Sequence, residues 1–201
     1  VERSVDAQLV NVGRDHIGRQ ARRDHGLGRF EGEGACAVAD VEHDADGVAA
    51  VEGERFRVYW EGMPIWGKLK DLSTQFLQLR TCVVASTYCN SWIFEDLSHE
   101  DPFEGMARAY TELFITRAYE AKETYIKDML AFFKVDGIIY HDAKTCPNNS
   151  NCRYGMPQRL ADQTGIPNLT INGDLNDLRL ISDEQTNTNV EAFIEQLAEN
   201  K

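Results

Sequence analysis

The sequence predicts an α/β fold built on a parallel sheet. Short β-branched, apolar runs occur at residues 81–86, 137–141 and 168–171. Segments of helical period lie between them, and polar loops rich in Asn, Asp or Gly follow them. Buried parallel strands read as continuous apolar runs, and strands alternating with helices make right-handed βαβ units.

The elements follow in order. Residues 55–60 are a short mixed run closed by the turn Glu61-Gly62-Met63-Pro64. Leu69, Leu72, Phe76, Leu77 and Leu79 recur at near-helical spacing and predict a helix over 65–79. After the strand at 81–86, Thr87-Tyr88-Cys89-Asn90-Ser91-Trp92 reads as a loop. Asp101-Pro102-Phe103-Glu104 combines an N-cap, a first-turn proline and a capping-box glutamate. It predicts one long helix to about residue 133, with Ala107, Tyr110, Leu113, Phe114, Ala118, Ala121, Tyr125, Met129 and Phe132 as its core face. Asp136-Gly137 ends it. A helix at 153–163 stops at Gly165 and Pro167, and Ser182 with Gln185 caps a last helix facing inward through Val190, Phe193, Ile194 and Leu197. The loops around Cys89, Cys146 and Asp174 should converge on one edge, because ligands of open α/β sheets gather outside the carboxyl ends of strands.

Composition divides the chain near residue 54. Residues 1–54 lack Pro, Lys, Tyr, Trp, Met and Thr and carry eight glycines. That mixture fits an irregular acidic arm, or a GC-rich gene read in another frame, since Val, Ala, Asp, Glu and Gly share codons beginning with G. Cys36 and the histidines of this segment have no ligand spacing. The formal charge of −12 argues against nucleic acid or an anionic membrane surface as partner. No apolar run approaches the roughly 20 residues that cross a bilayer, and no secretory signal is visible. Five cysteines without disulfide-like spacing fit a reducing, cytoplasmic setting.

The stretch from His141 to Cys152, HDAKTCPNNSNC, places two cysteines in a polar loop directly after a strand. Thiolates ligate iron–sulfur clusters, and Cys-x5-Cys differs from the Cys-x2-Cys pairs of zinc ribbons. A cluster, another metal, or a pair of reduced structural thiols all fit the spacing. Cys82, inside a strand, reads as core.

Three motifs in this order, RVYWEGMPIW from Arg57, VASTYCNSW from Val84 and the stretch from His141 to Met156, resemble the 2-hydroxyacyl-CoA dehydratase/benzoyl-CoA reductase family. The resemblance is greatest to the B-type subunits of ATP-dependent benzoyl-CoA reductases and covers residue 55 to the C-terminus. It implies a flavodoxin-like fold for residues 55–201 and a [4Fe–4S] cluster shared with an N-terminal half that this chain does not contain. It also implies a homologous C-type subunit, an ATP-hydrolysing activator, ferredoxin as upstream donor, and single-electron reduction of benzoyl-CoA to a cyclohexadiene-carbonyl-CoA. Cys146 matches the family's C-terminal cluster cysteine, and Cys152 is a further candidate. His141 could donate a proton to the ring or be a hydrogen-bonded structural residue. Trp60, Trp66, Cys89 and Asn90 could line the substrate pocket, with Trp92, or pack in the core. A 2-hydroxyacyl-CoA dehydratase subunit and a noncatalytic scaffold are the alternatives.

Overall fold

The computed structural model describes residue 49, residues 51–90 and residues 100–201, apart from the side chains of Asn90 and Glu112. The remainder of the N-terminal segment, with Cys36, and Trp92 lie outside the described residues.

Four strands form one all-parallel sheet: β1 (Phe56–Glu61), β2 (Thr81–Ser86), β3 (Gly137–Ala143) and β4 (Asn168–Gly173), in the order β2-β1-β3-β4. This is the flavodoxin-like order, with growth of the sheet reversing beside β1. β1 and β3 are covered on both faces, which is why they read as near-continuous apolar runs. β4 stands at the edge, and its burial is patchier.

Among the described residues, six α-helices accompany the sheet: α1 (Leu69–Gln78), α2 (Thr87–Asn90), α3 (Pro102–Glu112), α4 (Tyr119–Phe132), α5 (Met156–Thr164) and α6 (Asp183–Glu199). One face of the sheet packs Val58, Trp60, Ile139 and Ile171 against Leu72 and Phe76 of α1 and Val190, Phe193 and Leu197 of α6. The other packs Tyr59, Val84, Ile138 and Tyr140 against Ile126, Met129 and Leu130 of α4 and Leu160 of α5. Cys82 is fully buried in this second core, as expected.

The caps read from sequence are present: Asp101 accepts from the Glu104 amide at 3.1 Å and Ser182 from the Gln185 amide at 3.3 Å. Gly165, at φ +72°, closes α5. The long helix expected to reach residue 133 is instead broken. α3 ends at Glu112, a 3-10 turn spans Phe114–Thr116, and α4 begins at Tyr119. The Thr116 hydroxyl donates to the Leu113 carbonyl at 2.7 Å, a local bond that competes with continuing the helix. The break resets the phase, so Tyr110, expected in the core face, is 65% exposed while Phe114 is buried. α4 ends at Phe132, before Asp136-Gly137; Lys134 then takes a left-handed φ of +50° while the Val135 amide bonds back to the Leu130 carbonyl. The expected loop after β2 begins as the helical turn α2.

Candidate functional site

The carboxyl ends of β1 and β3 meet at the point where the sheet reverses direction, and the loops that follow them touch. Gly62 makes this contact possible. It has φ +103°, and a Cβ there would lie 3.0 Å from the His141 carbonyl oxygen and 3.2 Å from that of Asn149. Both a left-handed backbone and a close approach therefore require glycine at this position.

The loop from Lys144 to Cys152 is held by its own short polar side chains. The Ser150 hydroxyl accepts from the Ala143 amide at 2.9 Å and lies 2.9 Å from the Cys146 carbonyl, to which it can donate. Asp174, after β4, accepts from the Thr145 amide at 3.1 Å and its hydroxyl at 2.5 Å. These bonds hold the Asp174 carboxyl below its ordinary range. Asp142 receives Lys144 Nζ at 2.7 Å and Arg153 Nε at 2.8 Å. Partial burial raises its pKa, but these two cations outweigh burial and leave it lowered. The loops around Cys146 and Asp174 do meet, and the end of β1 and the start of α2 join them through Glu61, Asn151 and Thr87.

Cys146 is half-buried near the head of this loop. Cys152 packs its thiol against the core under α4 and α5, and burial, then the Asp142 charge, push its pKa up to about 11. Cys89 is buried in α2, where burial pushes it up to about 11. His141 is 1% exposed, and its Nδ1 lies 2.6 Å from the Met63 carbonyl, which makes Nδ1 the donor. Nε2 then carries the lone pair, has no partner and points towards Gly173. Burial lowers the His141 pKa, against the pull of the Met63 bond, so the ring is held neutral. This geometry favours the hydrogen-bonded structural alternative for His141 over proton donation. Trp60 is buried, its ring 6.2 Å from that of His141, and its Nε1 donates to the Met63 carbonyl at 3.3 Å. Trp66 is half-buried and meets Tyr88 edge-on at 5.6 Å. Asn90 closes α2.

Sequence reading missed a buried polar network beneath the loop. Glu61, 1% exposed, accepts from Asn151 Nδ2 at 2.5 Å and from the Thr87 hydroxyl, which in turn pairs with the Tyr59 hydroxyl at 2.7 Å. Lys122, also buried, donates to Asn151 Oδ1 at 3.4 Å. Burial raises the Glu61 pKa to about 7, against the lowering effect of Thr87, Asn151 and Lys122. A sequence signal for one member existed. Lys122 lies four residues after Ala118 and three before Tyr125, in phase with the core face of the helix.

The sequence profile of the family described as 2-hydroxyglutaryl-CoA dehydratase, D-component, matches residues 33–197. The chain belongs to this family. Among curated members, lactoyl-CoA dehydratase subunit alpha of Anaerotignum propionicum is 26% identical over 155 residues, 77% of this chain and 37% of that protein. The (R)-2-hydroxyisocaproyl-CoA dehydratase alpha subunit of Clostridioides difficile is 29% identical over 149 residues, 74% of this chain and 36% of that protein. The B-type subunit of benzoyl-CoA reductase from Thauera aromatica is 23% identical over 150 residues, 71% of this chain and 34% of that protein. The chain thus spans about a third of the length of these dehydratase-family relatives. The family read from the three motifs is borne out, as is the α/β fold.

Family membership raises the question of an iron–sulfur cluster. Among the described residues, no group of three or more His, Cys, Asp or Glu side chains could hold a metal ion. The described part of the chain does not by itself assemble a cluster site; Cys146, half-buried on the braced loop, and Cys152, also half-buried, are the two cysteines that the loop carries.

Proposed function

We infer that this chain is the C-terminal portion of a subunit of an ATP-dependent benzoyl-CoA reductase, with Cys146 its contribution to a [4Fe–4S] cluster. The observation that carries this reading is the bracing of the Cys146 loop at the crevice where the sheet reverses. A thiolate that must hold a metal at fixed geometry needs outer partners that fix it in place, and Ser150 and, through Thr145, Asp174 supply them. When bound, such a cluster supplies single electrons at low potential. The remaining cluster ligands would come from outside the described residues. A homologous C-type subunit and an ATP-hydrolysing activator, fed by ferredoxin, would complete the enzyme, in a cytoplasmic setting.

The chain's own residues have narrower parts in this proposal. Trp66 and the Cys89–Asn90 turn, beyond the carboxyl ends of the strands, would border an aromatic acyl group, while Trp60 packs in the core. His141, neutral and donating from Nδ1 to the Met63 carbonyl, keeps the loop after β1 in place and offers Nε2 only as an acceptor. The second reading is a 2-hydroxyacyl-CoA dehydratase subunit. It is favoured by the dehydratase alpha subunits being 26% and 29% identical to this chain against 23% for the reductase subunit.

The test is anaerobic assay of the full-length subunit in its complex. Ring reduction of benzoyl-CoA with no water loss from a 2-hydroxyacyl-CoA is expected, and the reverse result installs the dehydratase. Cys146→Ser should abolish bound iron and labile sulfide. A parent chain without iron, and no loss on changing Cys146, would leave the scaffold reading standing.

A further inference from the structure

Beneath the cysteine loop, one side-chain amide joins two buried charges. Asn151 donates its N–H to Glu61 and accepts a hydrogen bond from Lys122 on its carbonyl, so each end of the amide dipole faces the charge it suits. Glu61, Asn151 and Lys122 are 1%, 3% and 5% exposed. The Lys122 ammonium is further held over the rings of Phe114 and Tyr119, at 5.2 and 5.4 Å from their centroids. Thr87 fills the other face of the Glu61 carboxylate. Four separate segments thus meet here: the end of β1, the start of α2, the body of α4 and the loop after β3.

This arrangement is costly to keep merely for stability. Replacing a buried ion pair by apolar groups of similar size is often neutral or stabilising, whereas removing one partner is not. A reason to retain it is geometric. Asn151 follows Ser150 directly, and the Ser150 hydroxyl ties both the amide of Ala143 and the carbonyl of Cys146. A displacement of Asn151 is therefore passed through Ser150 to the backbone of Cys146. The outer half of the loop has its own anchors in Asp174 and Asp142. The inner half is anchored through Asn151.

We propose that Glu61 and Lys122 are positioning residues that, by clamping Asn151, set the placement of the Cys146 thiol. The proposal rests on the reading of Cys146 as the working thiol of the site. It assigns Glu61 no contact with substrate.

The experiment uses the full-length subunit, iron-free, at about pH 8, where Glu61 is mostly ionised, and follows alkylation of Cys146 by iodoacetamide, with iron uptake after reconstitution as a second readout. Glu61→Gln should raise the Cys146 alkylation rate about fivefold or more, the effect of losing about 1 kcal/mol of ordering, and should lower iron uptake. Glu61→Gln/Lys122→Met removes both buried charges and restores stability towards that of the parent. The expected result is that this double variant is as stable as the parent yet keeps the faster alkylation and the poor iron uptake. A purely structural pair predicts that both return to parental values together with stability, and that outcome overturns the proposal. Should either Glu61 variant fail to fold, Ser150→Ala cuts the same path at its last link and must also speed alkylation; an unchanged rate refutes the coupling. If Cys146→Ser retains its iron, the ligand reading fails separately, while the alkylation rates still decide the clamp.

Discussion

Raising the pH through neutrality should weaken this fold, and Glu61 is the reason. Its pKa stands at about 7 in the folded chain against an ordinary 4.5, because burial disfavours the carboxylate more than Thr87, Asn151 and Lys122 favour it. A carboxyl raised in this way binds its proton more tightly when folded. Its contribution is therefore fully present below pH 4.5 and lost as pH climbs to about 7. The whole loss is about 3 kcal/mol, most of it between pH 5 and pH 8. His141 acts with the opposite sign. Its pKa is lowered by burial, so its share of stability grows as pH rises towards the ordinary 6.5. The two are separated by comparing the parent chain with Glu61→Gln, which keeps His141 and cannot ionise at position 61. Urea unfolding of both chains at a series of pH values gives the difference directly. The parent should lose about 2–3 kcal/mol relative to the variant between pH 5 and pH 8. Parallel profiles would show that the folded carboxyl ionises as it does in the unfolded chain, and the account of burial given for this network would be wrong.

Three further outcomes are expected. Gly137→Ala puts a methyl 2.7 Å from Phe193 Cζ and 3.0 Å from Leu197, so it should cost about 1–3 kcal/mol in thermal or urea unfolding by overpacking. Gly62→Ala meets two backbone carbonyls at 3.0 and 3.2 Å and a φ of +103°, where flexible side chains cannot absorb the clash. It should destabilise by about 1–3 kcal/mol and, in the full-length subunit, reduce iron uptake; parental behaviour in both would remove the tight loop contact from the account. Asp174→Ala removes the acceptor for both the amide and the hydroxyl of Thr145. Hydrogen exchange at the Thr145 amide should quicken while that of the β1 amides stays unchanged.

Much of the framework was legible because local chemistry and tertiary structure agree. Asp101 and Ser182 cap the helices they were expected to cap, and the apolar strands became the buried strands of a parallel sheet. The break between α3 and α4 was not legible, since neither Gly nor Pro marks it; a hydroxyl bond and the burial of Phe114 decide it. Cys146 could be found by motif, and its bracing loop follows from Ser, Thr and Asn, which bond readily to nearby backbone. Glu61 could not. In sequence it opens a turn, and a glutamate beside Gly62 reads as solvated. Only the meeting of residues 61, 87, 122 and 151 makes it an interior group, and those partners are remote along the chain.

The placement of that network also bears on how the chain is made. Synthesis runs from the N-terminal end, so β1 and Glu61 emerge 90 residues before Asn151. Until then a nascent subunit holds a carboxyl and an ammonium with no amide between them. β1, destined for the centre of the sheet, likewise waits for β3, since Val58 pairs with Gly137. The interior closes only when the very loop that carries Cys146 has left the ribosome. A chain stalled short of residue 151 therefore leaves Glu61 and Lys122 without the amide that joins them.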